Sequence, residues 1–313
     1  MNSLCVSARS PWRAMSTAYL SRLTLRQVRI FLTVCQQESY SRAAEELALT
    51  QPAVSAQVRN LEELIGEPLF HYVGKRLSLT PAGRAMRRAG QDLMRRLVRV
   101  EMELAELRGV MQGTLTLAVE SSAQYFMPER LAAFCRRHPE VEVQMRVLNH
   151  GEALKSLRED RYDLTIMGQV PDDRRLRFVP FRQNDLVAVA APGHPLQDME
   201  AVPLTRFLEF PLLSRESGSG TRLVFEELCQ SRGLRPGRRQ QLGSQEAIKA
   251  GVIAGLGLAV LPRDACREEL AAGRLVTLDV DGLPLKRSWC VVHPRARHLT
   301  PVADAFLQAL TTV

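Results

Sequence analysis

Ser41-Arg-Ala-Ala-Glu-Glu-Leu-Ala-Leu-Thr50-Gln-Pro-Ala-Val-Ser-Ala-Gln-Val-Arg-Asn60-Leu-Glu-Glu-Leu64 is the stretch on which the reading of this chain turns. It reads as two short helices joined by a tight turn at Ala48-Leu49. Ala43, Ala44 and Leu47 are small or apolar and let a second helix cross closely. Thr50 is a good N-cap, and Pro52 falls in the first helical turn, where its missing N–H costs nothing. In the second helix Val54, Val58, Leu61 and Ile65 recur at spacings of four, three and four, which puts them on one buried stripe. Pro52, Ser55, Ala56 and Arg59 project from the opposite face, which carries no acid until Glu62-Glu63. A helix entering the major groove of DNA needs short side chains for close approach and hydrogen-bonding or basic tips near its start. Ser41, Thr50, Gln51, Pro52, Ser55, Ala56 and Arg59 are therefore the candidate DNA contacts. The bland alternative is a helical hairpin inside an ordinary core, and the flanking sequence has to decide between the two.

Downstream, Phe70–Val73 and Arg76–Leu79 flank Gly74-Lys75 in the pattern of a small hairpin. Lys75 and Arg76 at its tip suit phosphate or minor-groove contact, as in the wing of a winged helix. Thr80-Pro81 then restarts a helix. Met86, Gly90, Leu93, Leu97, Val100, Leu104, Leu107 and Met111 follow a four-three alternation, the seam of a coiled coil that would join two copies of the chain. An amphipathic helix lying on its own domain is the competing explanation of that seam.

At 313 residues the chain suits two or three domains. Its formal charge of +8 is unevenly placed: residues 1–110 hold 16 Lys+Arg against 10 Asp+Glu, and residues 111–313 hold 26 against 24. The excess base travels with the helix-turn-helix, as a phosphate-binding module requires. No run approaches the roughly eighteen apolar residues of a membrane span. The six cysteines (Cys5, Cys35, Cys135, Cys229, Cys266, Cys290) show no CxxC, so a reduced cytoplasmic protein is expected. His293 and His298 are separated by a helix-breaking Pro294, and no metal site is expected. Residues 1–22 lack the apolar core of a signal peptide and read as an extension outside the fold, or as the product of a start placed upstream of Met15.

Beyond Gly113 strands and helices alternate. Strands are expected at 114–119, 141–147, 164–167, 185–190, 210–213, 258–261, 274–280 and 286–292, and helices at 127–138, 152–161, 221–232, 245–254 and from Pro301. Such alternation implies mostly parallel sheets with helices on both faces. Ligands of open α/β sheets bind at the carboxyl ends of strands, beside helix N-termini. Three places fit. Ser121, Ser122, Ala123 and Tyr125 follow the first strand directly, beside an acid, Glu120, that must turn away from any anionic ligand or limit it. Ser217, Gly218, Ser219, Gly220, Thr221 and Arg222 can surround an oxyanion with hydroxyls, N–H groups and one charge. Ser244 and Glu246 open the next helix, and Gly168 leaves room in the same cleft. Singly, each loop is also explained as a capped turn. Facing each other in two lobes, they suggest a small molecule with two acidic ends, or a phosphate and a sugar.

These motifs closely resemble the LysR-type transcriptional regulators. The match is carried by Leu25-Arg-Gln-Val-Arg-Ile-Phe31, Ser41-Arg-Ala-Ala44, Leu49-Thr-Gln-Pro-Ala-Val-Ser55, Gln57-Val-Arg-Asn-Leu-Glu62, Gly66-Glu-Pro-Leu-Phe70 and Leu79-Thr-Pro-Ala-Gly83. The resemblance implies a multidomain chain. An all-α winged helix-turn-helix spans 23–80, a linker and dimerisation helix spans 81–111, and an effector domain spans 113–313. The last has two α/β lobes like a periplasmic binding protein, with crossovers near 185 and 285. It also implies a homodimer or homotetramer on a partly palindromic operator in double-stranded DNA, acting on RNA polymerase, with no resident cofactor. Ser121–Phe126, Ile166–Gly168, Ser217–Arg222, Gly243–Lys249 and Asp279–Pro284 look most like the branch that regulates Calvin-cycle (RuBisCO) operons. Such regulators respond to phosphorylated metabolites or NADPH; a carboxylate effector on another metabolic operon is the alternative. Gln124 stands where that branch usually has Lys and Gln169 where Arg is common, and both speak against a bisphosphate.

An enzyme is the rival from another class. Gly251-Val-Ile-Ala-Gly-Leu-Gly257 has the composition of a dinucleotide fingerprint but leaves a helix and enters a strand, the reverse of the required order. GxxxxGK[ST], HExxH and GxSxG are absent, and Asp163 and Asp185 have no evident partner base, so no catalytic residue is assigned. A nucleoid-style DNA binder would not need two hundred residues of pocketed α/β structure.

Overall fold

The computed structural model describes residues 22–73 and 76–312. Lys75 and almost all of the 1–22 extension lie outside the described residues. The chain divides into two compact units, Met1–Glu101 and Met102–Val313.

In the first unit α1 (Leu25–Gln37) opens with a capping box. The Thr24 hydroxyl accepts from Gln27 N, and the Gln27 side chain accepts from Thr24 N. The short α2 (Tyr40–Glu46) is capped by Ser39, and a turn with Ala48 at φ 52° leads to α3 (Gln51–Ile65). Thr50 caps α3 by accepting from Ala53 N, and Pro52 occupies its first turn. Val54, Val58 and Leu61 are buried, each stabilising the unit by about 2 kcal/mol. They close over Ile30, Val34, Ala43 and Ala44, with Phe31 and Leu69 packed beside Leu61. The acid that ends the outward face serves the fold. Glu62 Oε1 accepts from Leu69 N (2.7 Å) and Phe70 N (3.3 Å), fixing the entry to the hairpin. That hairpin pairs β1 (Phe70–Val73) with β2 (Arg76–Leu79) in the register Phe70↔Leu79 to Val73↔Arg76.

Helix α4 runs from Pro81 to Glu106 and stops earlier than the heptad pattern. Leu107 lies in the turn that follows, Gly109 takes φ 76°, and Met111 packs on the core of the second unit, so both residues fall outside the helix. The seam is also shortened at its start. Met86 packs against the cluster of Phe31, Leu61 and Leu69, and Gly90 sits under Val28 and Leu32 of α1. What remains open is the stretch Leu97, Val100 and Leu104, which stand 39%, 49% and 51% exposed.

The second unit holds two five-stranded sheets. The first lobe orders its strands β4-β3-β5-β12-β6, with β3 (Gly113–Glu120), β4 (Val141–Leu148), β5 (Leu164–Met167), β6 (Leu176–Gln183) and β12 (Ser288–Pro294). Helices α5 (Met127–Arg137), α6 (His150–Arg158) and α11 (Pro301–Thr311) belong to it. The second lobe orders β11-β7-β10-β8-β9, with β7 (Leu186–Ala190), β8 (Leu212–Ser214), β9 (Arg239–Gln241), β10 (Leu258–Pro262) and β11 (Val276–Leu278). Its helices are α7 (Leu204–Phe207), α8 (Gly220–Ser231), α9 (Gln245–Ile253) and α10 (Arg267–Ala271).

Neither sheet is mostly parallel, which corrects the sequence expectation. In the first lobe β3 is parallel to β4 and β5, but β12 is antiparallel to β5 and β6. In the second, β8 is parallel to β9 and β10, but β7 is antiparallel to β10 and β11. The reason is topological: β7 and β12 are the first strands after each crossing between lobes, and each enters its sheet against the direction of its neighbours. The two crossing segments are themselves paired. Leu186 and Leu285 exchange both backbone hydrogen bonds at 3.0 Å, and Asn184 N donates to Arg287 O at 2.8 Å.

Candidate effector cleft and DNA-reading helix

On α3 the apolar stripe faces inward, so the opposite side is left to solvent. Gln51, Pro52, Ala56 and Arg59 are exposed and Ser55 is half-buried. Ser41 is exposed on α2, and Thr50 is exposed although its hydroxyl is engaged in capping. Arg76 is exposed at the start of β2. The surface is short, polar and free of acid for two turns, the shape a groove-reading helix needs.

In the second unit the carboxyl end of β3 carries Glu120, which is buried. Its Oε1 lies 2.6 Å from His150 Nδ1, and its Oε2 accepts from Gly168 N at 2.8 Å. The carboxylate is thus turned inward and fully engaged, and the Gly168 N–H is spent on it. Ser121–Tyr125 forms a 3-10 turn before α5. Ser121 and Ser122 point toward the second lobe, where they meet a residue that sequence reasoning passed over. Arg215 follows β8 directly, is buried, and donates through Nη1 to Ser121 Oγ (3.1 Å) and Gln245 Oε1 (3.2 Å). Its Nε and Nη2 hold Glu216 at 2.7 and 2.8 Å, and Gln245 Nε2 donates to Ser122 Oγ at 3.0 Å. Arg215 stands at the carboxyl end of a strand, the position that marks ligand contacts in such sheets; that rule would have found it.

A second link between the lobes joins Tyr125 Oη to Glu246 Oε1 at 2.6 Å. Lys249 Nζ lies 3.1 Å from Glu246, 2.9 Å from Glu269 and 4.9 Å from the Tyr125 ring centre. Burial, followed by the hydrogen bond to Glu246, pushes the Tyr125 phenol well above its ordinary range. Burial pushes Glu246 up, but hydrogen bonds from Tyr125 and Lys249 outweigh it and leave the carboxyl below its usual value. Lys249 likewise loses to burial and regains more from Glu269 and Glu246. Elsewhere Arg182 forms a two-pronged pair with Asp264 at 2.9 and 2.8 Å.

Other residues fall differently from the sequence reading. Arg222 does not supply the charge of the Ser217–Gly220 loop: its Nε pairs with Glu226 (2.9 Å), and its Nη1 donates to Arg215 O and Gln241. The reason is helical spacing, since Glu226 lies one turn on along α8 and captures it. Ala123 is fully buried in the first-lobe core with Leu117 and Phe126, so it packs rather than lines the cleft. Ser244 caps α9 by accepting from Ala247 N. Gly218 takes φ 92°, and its carbonyl accepts from Gly151 N at 3.1 Å, so the loop also touches the first lobe. Ser219 is buried and makes no capping bond to α8, while Ser217 is exposed and Thr221 buried. Asp163, left without a partner by the sequence, binds Thr116 and pairs with Arg297 at 2.9 Å, a structural role. Gln169 donates to Glu227. Among the described residues no His, Cys, Asp or Glu group is arranged to hold a metal, and no helix is long and apolar enough to cross a membrane.

A helix-turn-helix unit followed by a two-lobed α/β unit defines a DNA-binding transcriptional regulator with an effector domain. Residues 25–84 match the bacterial regulatory helix-turn-helix protein, lysR family, and residues 108–313 match the LysR substrate binding domain. The chain belongs to the LysR family, whose members bind DNA and small-molecule effectors. It is 41% identical to a RuBisCO operon transcriptional regulator of Acidithiobacillus ferrooxidans over 92% of this chain and 93% of that one. A RuBisCO operon transcriptional regulator of Allochromatium vinosum is 40% identical over 91% of this chain and 94% of that one. Among solved structures, the Synechocystis PCC6803 CcmR regulatory domain in complex with 2-PG is 35% identical at a TM-score of 0.61, covering 64% of this chain and 96% of that one. Full-length CbnR in complex with its target DNA shares the fold at 20% identity, with a TM-score of 0.62 over 92% of this chain and 99% of that one.

Proposed function

We propose that this LysR-family regulator controls a RuBisCO operon in response to a small organic anion of the 2-phosphoglycolate type. The observation that carries the reading is identity of about two residues in five, sustained over nine-tenths of the chain, with regulators named for that operon. The relative holding 2-PG adds the ligand class. The geometry supports it. The Ser121 and Ser122 hydroxyls and the start of α8 at Ser219–Gly220 give an oxyanion hydroxyls and a helix N-terminus on facing lobes, beside buried Arg215, whose charge is shared with Glu216. Tyr125, Glu246, Ser244, Ser217, Gly218, Thr221 and Gly168 surround that region, and Arg222 acts through Arg215 and Glu226.

Ser41, Thr50, Gln51, Pro52, Ser55, Ala56, Arg59, Lys75 and Arg76 read and grip the operator. The open stretch Leu97, Val100 and Leu104 of α4 joins copies into a homodimer and then a homotetramer in the bacterial cytoplasm. Ligand acts on RNA polymerase recruitment only through its preference for one arrangement of the subunits. The protein is not an enzyme. A gel-shift with DNA upstream of a RuBisCO operon, with and without 2-phosphoglycolate, tests the reading. A retarded band whose mobility or midpoint changes with the ligand is expected. Binding only to DNA upstream of an unrelated operon, with response to a different carboxylate, would move the protein to the alternative regulon.

A further inference from the structure

The polar groups around Gly168 are buried and unpartnered in a way the Arg215 network does not explain. A Cβ built on Gly168 would stand 2.6 Å from Asn184 Nδ2, 3.2 Å from Trp289 Cζ3 and 3.3 Å from Arg287 Nη2, so an amide and a guanidinium close, beside the Trp289 indole, on the Gly168 backbone. Asn184 is only 2% exposed, and among the described residues neither its Oδ1 nor its Nδ2 has a hydrogen-bond partner. Nε and Nη1 of Arg287 are buried and unpartnered as well. Burial lowers the Arg287 pKa, with the charges of Glu120 and Glu227 pulling the other way. Glu120 is already committed to His150 and Gly168, so it is not free to satisfy the guanidinium. A buried cation without a hydrogen-bonded counter-charge is costly, and a guanidinium beside an amide NH2 is a set of donors shaped for an oxyanion.

The place matters as much as the chemistry. Asn184 belongs to the segment that leaves the first lobe and Arg287 to the segment that returns, and the two are joined by the bond from Asn184 N to Arg287 O. A group held by both side chains therefore touches both strands on which the lobes turn. We propose that Asn184 and Arg287 form a hinge site for one oxyanion group, carboxylate or phosphate, of a small organic anion. This rests on the effector reading above and deepens it: the hinge, and not only the cleft mouth at Ser121 and Arg215, grips the ligand and biases lobe geometry.

The test uses the full-length protein in thermal-shift and calorimetric titrations with 2-phosphoglycolate, glycolate and inorganic phosphate. Asn184→Asp places a carboxylate beside Arg287 and fills the site from within. It is expected to melt no lower than the parent without ligand, and to bind 2-phosphoglycolate at least about tenfold more weakly. Arg287→Lys keeps the charge, loses the fork, and is expected to weaken binding in the same direction. Protection of the parent, but not of Asn184→Asp, by glycolate assigns the site to a carboxylate; the same pattern with inorganic phosphate assigns it to a phosphate. Parental affinity for 2-phosphoglycolate in both variants would overturn the hinge site and leave the effector reading standing. A parent protein indifferent to all three probes would overturn both.

Discussion

Replacing Arg215 with Met removes the cation at the centre of the inter-lobe network while keeping most of its apolar length. The cost follows from what is left behind. Glu216 loses a two-pronged partner at 2.7 and 2.8 Å, and its side chain is only 25% exposed, so water recovers part of the loss. Breaking a fully buried pair costs about 3–5 kcal/mol, and partial exposure puts this one near the lower end. Gln245 is 2% exposed and loses the donor to its Oε1, which adds roughly 1 kcal/mol; Ser121, half-buried, rehydrates. The expected loss is about 4 kcal/mol, or roughly 8–16 °C in the melting temperature of a unit this size. Urea titration followed by tryptophan fluorescence measures it. A Trp12→Phe background leaves Trp289, buried in the first lobe, as the reporter. Adding Glu216→Gln to Arg215→Met removes the orphaned charge and is expected to recover about half of the loss. A loss below about 1 kcal/mol, or no recovery in the double variant, would refute the claim that the Arg215–Glu216 pair supports the second lobe at the end of β8.

Three further outcomes are expected. Ser55→Glu, beside exposed Pro52, Ala56 and Arg59, is expected to weaken operator binding by about 100-fold in fluorescence anisotropy, and unchanged affinity would take this face of α3 out of the groove. Gly83→Ala puts a Cβ 2.0 Å from Leu69 O and 2.9 Å from Leu79 Cδ2, and since the first is backbone it cannot yield cheaply; circular dichroism is expected to show a loss of about 2–3 kcal/mol in the N-terminal unit. The Tyr125–Glu246 link has a defined pH window. Glu246 lies below its ordinary 4.5, so its contribution is complete above that value and is lost as pH falls through the lowered one. Tyr125 lies above its ordinary 10.0, so its contribution is complete below that value and is lost as pH rises toward the raised one. The stability difference between the parent and Tyr125→Phe is therefore expected to be flat between these limits and to shrink on either side; a difference that grows on acidification would contradict the assignment.

The parts of this molecule that the sequence made legible are those set by local periodicity. The stripe Val54, Val58 and Leu61 has the helical period, and Thr50 and Pro52 mark the start of α3 by chemistry that acts within one turn. The hairpin of Phe70–Val73 and Arg76–Leu79 and the buried strand Leu164–Met167 were visible for the same reason. Strand β6 was not. Pro180 interrupts Leu176–Gln183, and a proline is admitted there because β6 is an edge strand with a register shift opposite Trp289 and Cys290. The heptad pattern overran the end of α4 because Leu107 and Met111 continue the apolar spacing through a turn, and spacing alone carries no sign of that turn. Strand direction was misread because the antiparallel entry of β7 and β12 follows from the chain crossing between lobes, which no local pattern records. In the candidate site, Ser121, Ser122 and the Ser217–Gly220 loop were singled out by type and position, and the structure places Ser121, Ser122 and Gly218 in contacts between the two lobes. Arg215 was passed over although its place directly after β8 marks it, and Arg287 was not legible, because its significance comes from the lack of a partner among residues far away in the chain. Arg222 looked suitable until Glu226, one helical turn away, took its charge.

The central claim is that the outward face of α3 reads DNA in the service of the two-lobed unit that follows it in the chain. Hydroxyl-radical footprinting of the full-length protein on the RuBisCO operon's upstream region, with and without 2-phosphoglycolate, tests it most directly. The account predicts protected half-sites separated by about one 34 Å helical turn or a multiple of it, absent with Ser55→Glu and altered in extent by the ligand. Uniform, sequence-independent protection that neither Ser55→Glu nor 2-phosphoglycolate changes would contradict it.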